Sequence, residues 1–179
     1  MVTSLSLPPF NYLIINFFTF SFFFLFLLKK THEHKIKKLF FIYGWLFGFG
    51  YFVTNLYWIS ISLTFDSSFK FLIPFALILI PAFLSLFYGL ITYLFVIFKP
   101  KKNVSSFFLF SLIFGVIEFV RGSILTGFPW NLIAYTFSNQ LKILSITSII
   151  GTYGFNLYCI SLFTVPSLFI LNKTKKNLG

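Results

Sequence analysis

The chain has 179 residues, of which 58% are hydrophobic and 9% charged, with a mean hydropathy of +0.94. A soluble domain carries roughly 25% charged residues, so this composition excludes an ordinary soluble globule and indicates an integral membrane protein. The net charge of +11 does not indicate a nucleic-acid partner, because most Lys and Arg residues lie in three short clusters between apolar runs, as in membrane proteins.

The apolar runs predict an all-α integral membrane protein with about five transmembrane helices. A helix of about 17–25 apolar residues spans a hydrocarbon core of about 30 Å. The predicted spans are residues 10–28, 39–63, 71–98, 104–121 and 144–171, within a single transmembrane domain over residues 1–179. Pro81 interrupts the third span and Pro166 the fifth, and a proline can kink a membrane helix without abolishing it.

The connections between the spans alternate in charge. The first connection, the third connection and the C-terminal tail are basic: they contain Lys29, Lys30, Lys35, Lys37 and Lys38, then Lys99, Lys101 and Lys102, then Lys173, Lys175 and Lys176. The second and fourth connections are poor in basic residues. Because basic loops stay on the cytoplasmic side, the pattern predicts an N-terminus outside and a C-terminus inside.

Two features of the spans predict contacts between helices. Gly44 and Gly48 have the four-residue spacing of a small-residue helix contact. Asn55 and Asn156 each place an amide in a predicted span, where an unpaired amide is costly. Asn156 is therefore a plausible partner for Asn55.

The polar stretch that ends the fourth span is the candidate functional site. Glu118 and Arg121 are three residues apart, so they share a helix face. Ionisable residues within a span are functional candidates because their insertion is costly. The pair admits two interpretations: a structural or positioning pair whose arginine snorkels to the head groups, or a direct role in chemistry.

A turn follows this pair in the sequence. It comprises Gly127, Phe128, Pro129, Trp130 and Asn131, and Pro129 restricts both itself and the residue before it. The turn is interpreted either as an element that grips lipid or a partner domain, or as an aromatic anchor at the membrane–water boundary. The residues alone do not separate these two interpretations.

The sequence contains no recognisable catalytic centre and predicts no metal ion or cofactor. Cys159, the single cysteine, has no His or Lys near it in sequence that could stabilise a thiolate. His32, Glu33 and His34 lack the spacing of a zinc motif and lie among lysines, which repel a cation.

Two separated motifs resemble the membrane part of bacterial apolipoprotein N-acyltransferases. The first is Gly48-Phe-Gly50 followed by Asn55-x-x-Trp58 and Ser62. The second is Glu118-x-x-Arg121-Gly122, Leu125-Thr-Gly-Phe-Pro-Trp130, Tyr135 and Gly151-x-x-Gly154-x-Asn156. The resemblance extends over residues 9–171. It implies transfer of a fatty acyl chain from a phospholipid to the amino group of a lipoprotein's S-diacylglyceryl cysteine.

The resemblance also implies parts that this sequence does not contain. In the family, a nitrilase-like domain carries a Glu–Lys–Cys triad, and no triad residue can be assigned to a position here. The membrane scaffold can be carried over, with Glu118, Arg121 and Trp130 bordering a cavity accessible to lipid. The expectation is a truncated or split gene product, without the family's first helix and inactive alone unless a separately encoded nitrilase-like chain acts on the lipoprotein.

Two other interpretations belong to different classes of protein. A small helical transporter or channel would need convergent polar residues along a pathway, and Glu118, Asn55 and Asn156 are few for that role. A non-functional gene remnant is the other alternative.

Overall fold

The computed structural model describes residues 2–33, 36–124 and 129–176. Within these ranges the regular structure is entirely helical. The α-helices are α1 (Ile14–Glu33), α2 (Lys38–Asn55), α3 (Ile59–Ser62), α4 (Ile73–Phe98), α5 (Asn103–Ser123), α6 (Leu141–Leu144), α7 (Thr147–Thr164) and α8 (Pro166–Lys176). Single 3-10 turns occupy Val2–Ser6, Ser67–Leu72 and Ile133–Phe137.

Four helical segments are long and apolar enough to cross a membrane. They are Ile14–Thr31, Ser67–Phe98, Asn103–Ser123 and Thr147–Lys173, by length and composition. The helix α2, which is 18 residues long, is not among these four segments. The prediction of an all-α, multi-pass membrane protein is confirmed.

The helices α2 and α4 pack closely in antiparallel directions, and two glycines of α2 permit this approach. A Cβ atom on Gly44 would lie 2.2 Å from the carbonyl oxygen of Tyr88, and one on Gly48 would lie 2.7 Å from the Tyr88 Cβ atom. Thr92 of α4 donates a hydrogen bond to the carbonyl oxygen of Phe40, 2.6 Å away. The small residues therefore let the two backbones meet and exchange this bond.

The second and fifth predicted spans differ from the observed helices. The second was expected to extend to residue 63, but α2 ends at Asn55, where Leu56 donates its N–H to Phe52, and the chain turns before the short helix α3. In the fifth, α7 ends at Thr164 and α8 begins at Pro166, a position where the missing N–H of proline has no cost.

Pro81 and Gly151 both lie within predicted spans, but only Gly151 interrupts its helix. Pro81 does not end the third span, because α4 continues through it from Ile73 to Phe98. Gly151 has a left-handed φ of 73° and breaks the first turn of α7 from the rest of that helix. Glycine is suited to this conformation because it has no Cβ atom.

Phenylalanine fills the centre of the bundle as well as its surface. Phe20, Phe110, Phe114 and Phe163 are fully buried where α1, α5 and α7 meet. The Phe20 and Phe114 rings lie 5.7 Å apart, edge to face, which is a favourable aromatic geometry. On the outer face of α1, other phenylalanines such as Phe18 are exposed, as expected for a surface in contact with lipid.

The bundle has two chemically different ends. The antiparallel pairing of α2 and α4 places the α1–α2 and α4–α5 connections together. Lys37, Lys101 and Lys102 lie in these connections, and Lys38 is the first residue of α2. We call this the lysine end. The opposite end carries Trp58 and Trp130, and we call it the tryptophan end.

Candidate functional site

A buried ion pair lies inside the bundle near the tryptophan end. Glu118 and Arg121 lie one turn apart on α5 and are only 1% and 2% exposed. The Arg121 Nη2 atom donates to the Glu118 Oε2 atom at 2.5 Å. Arg121 therefore does not extend to the surface, as snorkelling would require, because its partners lie within the protein.

The guanidinium has further partners besides the carboxylate. Both terminal nitrogens of Arg121 donate to the carbonyl oxygen of Trp130, each at 3.3 Å. The guanidinium carbon lies 5.4 Å from the centre of the Phe52 ring, a distance typical of a cation–π contact. A planar guanidinium with several N–H donors can satisfy these acceptors together, which a lysine ammonium cannot do in the same geometry.

A second hydrogen bond holds the turn that contains Trp130. The Tyr51 hydroxyl of α2 donates to the carbonyl oxygen of Asn131, 2.8 Å away. Asn131 has a left-handed φ of 57°, which asparagine tolerates better than most residues. Arg121 of α5 and Tyr51 of α2 therefore hold the adjacent carbonyl groups of Trp130 and Asn131 in one turn. We call this arrangement the clamp.

The clamped turn presents an aromatic surface at the end of the bundle. The indoles of Trp58 and Trp130 are stacked, with ring centres 4.6 Å apart and planes 19° apart. They are 38% and 46% exposed. We call this pair the tryptophan platform. The sequence indicated Trp130 as a possible interfacial anchor and Trp58 as part of a family motif, and the structure shows that they form one surface.

The two asparagines expected to pair have different partners. The Asn156 Oδ1 atom accepts a hydrogen bond from the backbone N–H of Ala134 at 3.0 Å, so it holds the 3-10 turn Ile133–Phe137 against α7. Asn55 donates instead to the carbonyl oxygen of Tyr51, one turn back in its own helix. The expected Asn55–Asn156 pair is therefore wrong, because each amide finds a nearer backbone partner.

Sequence reasoning missed the tyrosines that accompany the ion pair. Tyr51 and Tyr88 are fully buried on the facing sides of α2 and α4. The Tyr88 hydroxyl lies close to the Glu118 carboxylate, although neither this hydroxyl nor the Glu118 Oε1 atom makes a hydrogen bond of standard geometry among the described residues. A tyrosine in the middle of a span needs a polar partner, and this was the signal in the sequence that could have identified Tyr51.

An apolar groove lies beside the ion pair, between α4 and α5. Its volume is about 410 Å³. Arg121 lies at one margin of the groove. The rest of its wall consists of aliphatic and aromatic side chains: Leu79, Ile80, Phe83, Leu84, Phe87 and Ile124. The groove therefore combines a surface suited to an acyl chain with one adjacent cationic side chain.

Some predicted site residues are not part of this geometry. Gly127 and Phe128 lie outside the described residues, and Pro129 precedes the clamped turn. Cys159 is fully buried within α7. Among the described residues, no group of three His, Cys, Asp or Glu side chains could hold a metal ion.

A model of the apolipoprotein N-acyltransferase N-terminal domain matches residues 1–164 of the chain. This chain belongs to the apolipoprotein N-acyltransferase family. The family match includes α1 to α7 and the whole clamp formed by Tyr51, Arg121 and the turn at Trp130. The resemblance noted from the two sequence motifs is confirmed.

Three relatives illustrate the extent of the similarity. The apolipoprotein N-acyltransferase of Rhizobium etli (strain CIAT 652) is 34% identical over 171 residues, which cover 92% of this chain and 32% of that protein. The one of Rickettsia prowazekii (strain Madrid E) is 36% identical over 148 residues, covering 82% and 29%. The one of Allorhizobium ampelinum is 31% identical over 175 residues, covering 93% and 33%. The chain spans about a third of the length of these relatives.

Proposed function

We propose that this chain is the membrane region of an apolipoprotein N-acyltransferase that acts in lipoprotein maturation in the bacterial cytoplasmic (inner) membrane. The observation that carries the proposal is the clamp, in which buried Arg121 and Tyr51 fix the turn bearing Trp130. A buried charge is costly in a membrane bundle, so an ionisable pair within a span is a functional candidate, and this pair supports the surface above it. In this proposal the chain is a scaffold, and the acyl transfer takes place on a catalytic domain next to it.

The tryptophan end faces the outside of the membrane in this proposal. The asymmetry of basic residues supports it: Lys37, Lys38, Lys101 and Lys102 lie at the opposite end, and basic loops stay in the cytoplasm. Only Lys70 and Lys142 are exposed basic residues at the described part of the tryptophan end.

The tryptophan platform is the docking surface for the catalytic domain in this proposal. Its partner is a nitrilase-like domain, which brings the Glu–Lys–Cys triad implied by the family resemblance. Large, rigid aromatic side chains dominate the energetics of protein interfaces, and Trp58 and Trp130 are both rigidly held and partly exposed. The lipoprotein substrate would then meet the membrane beside this surface.

The apolar groove between α4 and α5 is the phospholipid site in this proposal. Leu79, Phe83 and Phe87 form an apolar wall that suits one acyl chain, and the wall continues to the buried Arg121. Because the groove is formed by two helices that span the membrane, a lipid can reach it sideways from the bilayer. The acyl donor would then lie directly below the docking surface.

Residues 1–179 alone carry out no acyl transfer in this proposal. A thioester mechanism needs an accessible cysteine with a group that activates its thiolate. Cys159 is fully buried in α7, in the core with Phe155 and Phe163. The described lysines lie outside this core, at the ends of the bundle.

Purified chain in phospholipid vesicles tests this proposal. With a diacylglyceryl peptide as acceptor, we expect bound phospholipid but no acylated peptide. Acylation by the chain alone would overturn the proposal that the chain is an inactive scaffold. If that acylation were then lost in Cys159→Ala, Cys159 would be assigned as the nucleophile. Solute flux through the same vesicles, without selective lipid binding, would favour the transporter hypothesis instead.

A further inference from the structure

The lysine end concentrates positive charge with little compensation. Its described lysines are largely exposed: Lys29, Lys37, Lys38, Lys101, Lys102 and Lys173. The whole chain has three acidic residues, and only Glu33 lies at this end. The Glu33 carboxylate pairs with Lys30 at 2.5 Å and lies 3.9 Å from Lys29. Among the described residues, the other lysines of this end form no salt bridge with an acidic side chain.

These lysines come from different elements that the fold brings to one end. The hydrogen bond from Thr92 to the Phe40 carbonyl places the first turn of α2 beside the last two turns of α4. Lys37 and Lys38 thus lie at the same end as the α4–α5 connection with Lys101 and Lys102. The helix α8, which carries Lys173, packs against α1 and α5. The positive charge of the lysine end therefore belongs to one surface formed by several segments of the chain.

Exposed apolar residues fix the depth of this surface relative to the bilayer. Ile36 is 61% exposed and directly precedes Lys37, and Phe98 is 63% exposed and directly precedes Lys99. Large apolar side chains at these positions are stable in the acyl region of a bilayer. A lysine next to such a residue extends its ammonium group to the level of the phosphates.

We propose that the lysine end binds the head groups of anionic phospholipids in the surrounding bilayer. The lysines form a charged collar at phosphate depth, and the negative surface potential of an anionic leaflet attracts such basic segments. The adjoining apolar side chains of Ile36 and Phe98 favour a lipid surface over a soluble polyanion. This property is independent of acyl transfer and of the groove beside Arg121.

The test uses the full chain reconstituted in vesicles with trace spin-labelled lipids. The protein-restricted fraction is compared by electron paramagnetic resonance for phosphatidylglycerol and phosphatidylcholine carrying the same acyl label. We expect an association constant about threefold higher for the anionic lipid at low salt. Because the Debye length falls to about 3 Å at 1 M salt, the preference is expected to disappear there.

Matched variants assign the preference to one end of the bundle. Lys37→Gln/Lys38→Gln and Lys101→Gln/Lys102→Gln are each expected to reduce it by about half, and the corresponding Lys→Arg variants to retain it. Lys70→Gln/Lys142→Gln removes the same number of charges at the tryptophan end and is expected to leave it unchanged. Equal association of both lipids with the wild-type chain, or a preference lost only in Lys70→Gln/Lys142→Gln, would overturn the proposal without dependence on any variant's folding.

Discussion

The guanidinium of Arg121 donates from both terminal nitrogens to the carbonyl oxygen of Trp130, at 3.3 Å each, while it also pairs with Glu118 on its own helix. A buried charge thus connects a membrane helix to an aromatic turn at the end of the bundle. The connection extends further, because the Trp130 indole stacks on Trp58, which follows α2. Arg121 therefore joins α5 to the turn at Trp130 and, through the stacked indoles, to the segment that follows α2.

Removal of this side chain should destabilise the fold strongly. In Arg121→Leu, the Glu118 carboxylate remains buried without its cation, which costs about 3–5 kcal/mol of unfolding free energy. The double variant Glu118→Leu/Arg121→Leu removes both charges and should recover more than half of that loss. Reversible unfolding in mixed detergent measures both values. A single variant as stable as the wild type would show that the pair is not buried as described.

The same residue should control the tryptophan platform, and this effect is separable from stability. Stacked indoles give an exciton couplet in circular dichroism, and Trp45→Phe removes the remaining tryptophan as background. In that background, Arg121→Lys should weaken the Trp58–Trp130 couplet, since an ammonium group cannot reproduce the two-nitrogen contact with the Trp130 carbonyl. The double leucine variant should also lack it, despite its recovered stability. A couplet that persists in both would contradict the clamp.

The close approach of α2 and α4 predicts unequal effects of added methyl groups. Gly44→Ala places a Cβ atom 2.2 Å from the Tyr88 carbonyl oxygen, so the helices must separate. Overpacking of this kind costs about 1–3 kcal/mol. Gly154→Ala is the matched control, because its Cβ atom would have only ordinary contacts, at 3.5 Å from Ile150. Equal unfolding free energies of the two variants would argue against this helix contact.

The separate partners of the two asparagines can be tested by a double-mutant cycle. Asn156→Ala leaves the buried N–H of Ala134 without its acceptor, a loss of about 1–3 kcal/mol. Asn55→Ala removes only a bond to its own helix and should cost less than about 1 kcal/mol. The two effects on unfolding free energy should add. A coupling energy above about 0.5 kcal/mol would support a direct Asn55–Asn156 contact instead.

The sequence predicted the fold class because the length of each apolar run and the distribution of basic residues are properties of neighbouring residues and do not depend on how the helices pack. The same reasoning identified Gly44, Gly48, Glu118, Arg121 and Trp130 as residues to examine. It could not assign their partners. Asn156 bonds to Ala134, 22 positions away, and Tyr51 bonds to Asn131, 80 positions away, so both pairings depend on how the helices pack.

The ends of the predicted spans were less accurate for a related reason. Hydropathy does not distinguish the apolar residues of α2 from those after Asn55, yet the helix ends there and the chain turns toward the platform. Trp58 leaves the helix and stacks on Trp130. The end of α2 at Asn55 thus coincides with the contact between Trp58 and Trp130, which are distant in sequence, and composition alone does not show this helix end.

Asp66, which directly precedes the membrane-crossing segment Ser67–Phe98, provides a pH-dependent prediction. The backbone N–H of Ser68 donates to the Asp66 carboxylate at 2.8 Å, and this bond, with one from the Ser68 side chain, holds the pKa of Asp66 below its usual value of 3.8. A depressed pKa contributes stability above the unfolded value, and the contribution disappears as the pH falls through the folded value. The turn Ser67–Leu72 should therefore loosen below pH 3.8.

Amide exchange at Ser68 measures this effect. The protection factor should fall on acidification in the wild-type chain. Asp66→Asn retains a capping acceptor without a titrating group, so its protection should not depend on pH in this range. Asp66→Ala should be poorly protected throughout. Identical pH dependence in the wild type and Asp66→Asn would show that this carboxylate does not cap the turn.

A chimera tests the proposed membrane scaffold most directly. The region of the Rickettsia prowazekii apolipoprotein N-acyltransferase that matches this chain is replaced by this chain, and N-acylation of a diacylglyceryl lipoprotein is measured in cells that depend on that enzyme. We expect acylation by the chimera, with a reduction of at least tenfold when the chimera carries Arg121→Lys. A chimera that is stably inserted in the membrane but transfers no acyl chain, while the Rickettsia enzyme does, would contradict the proposed function.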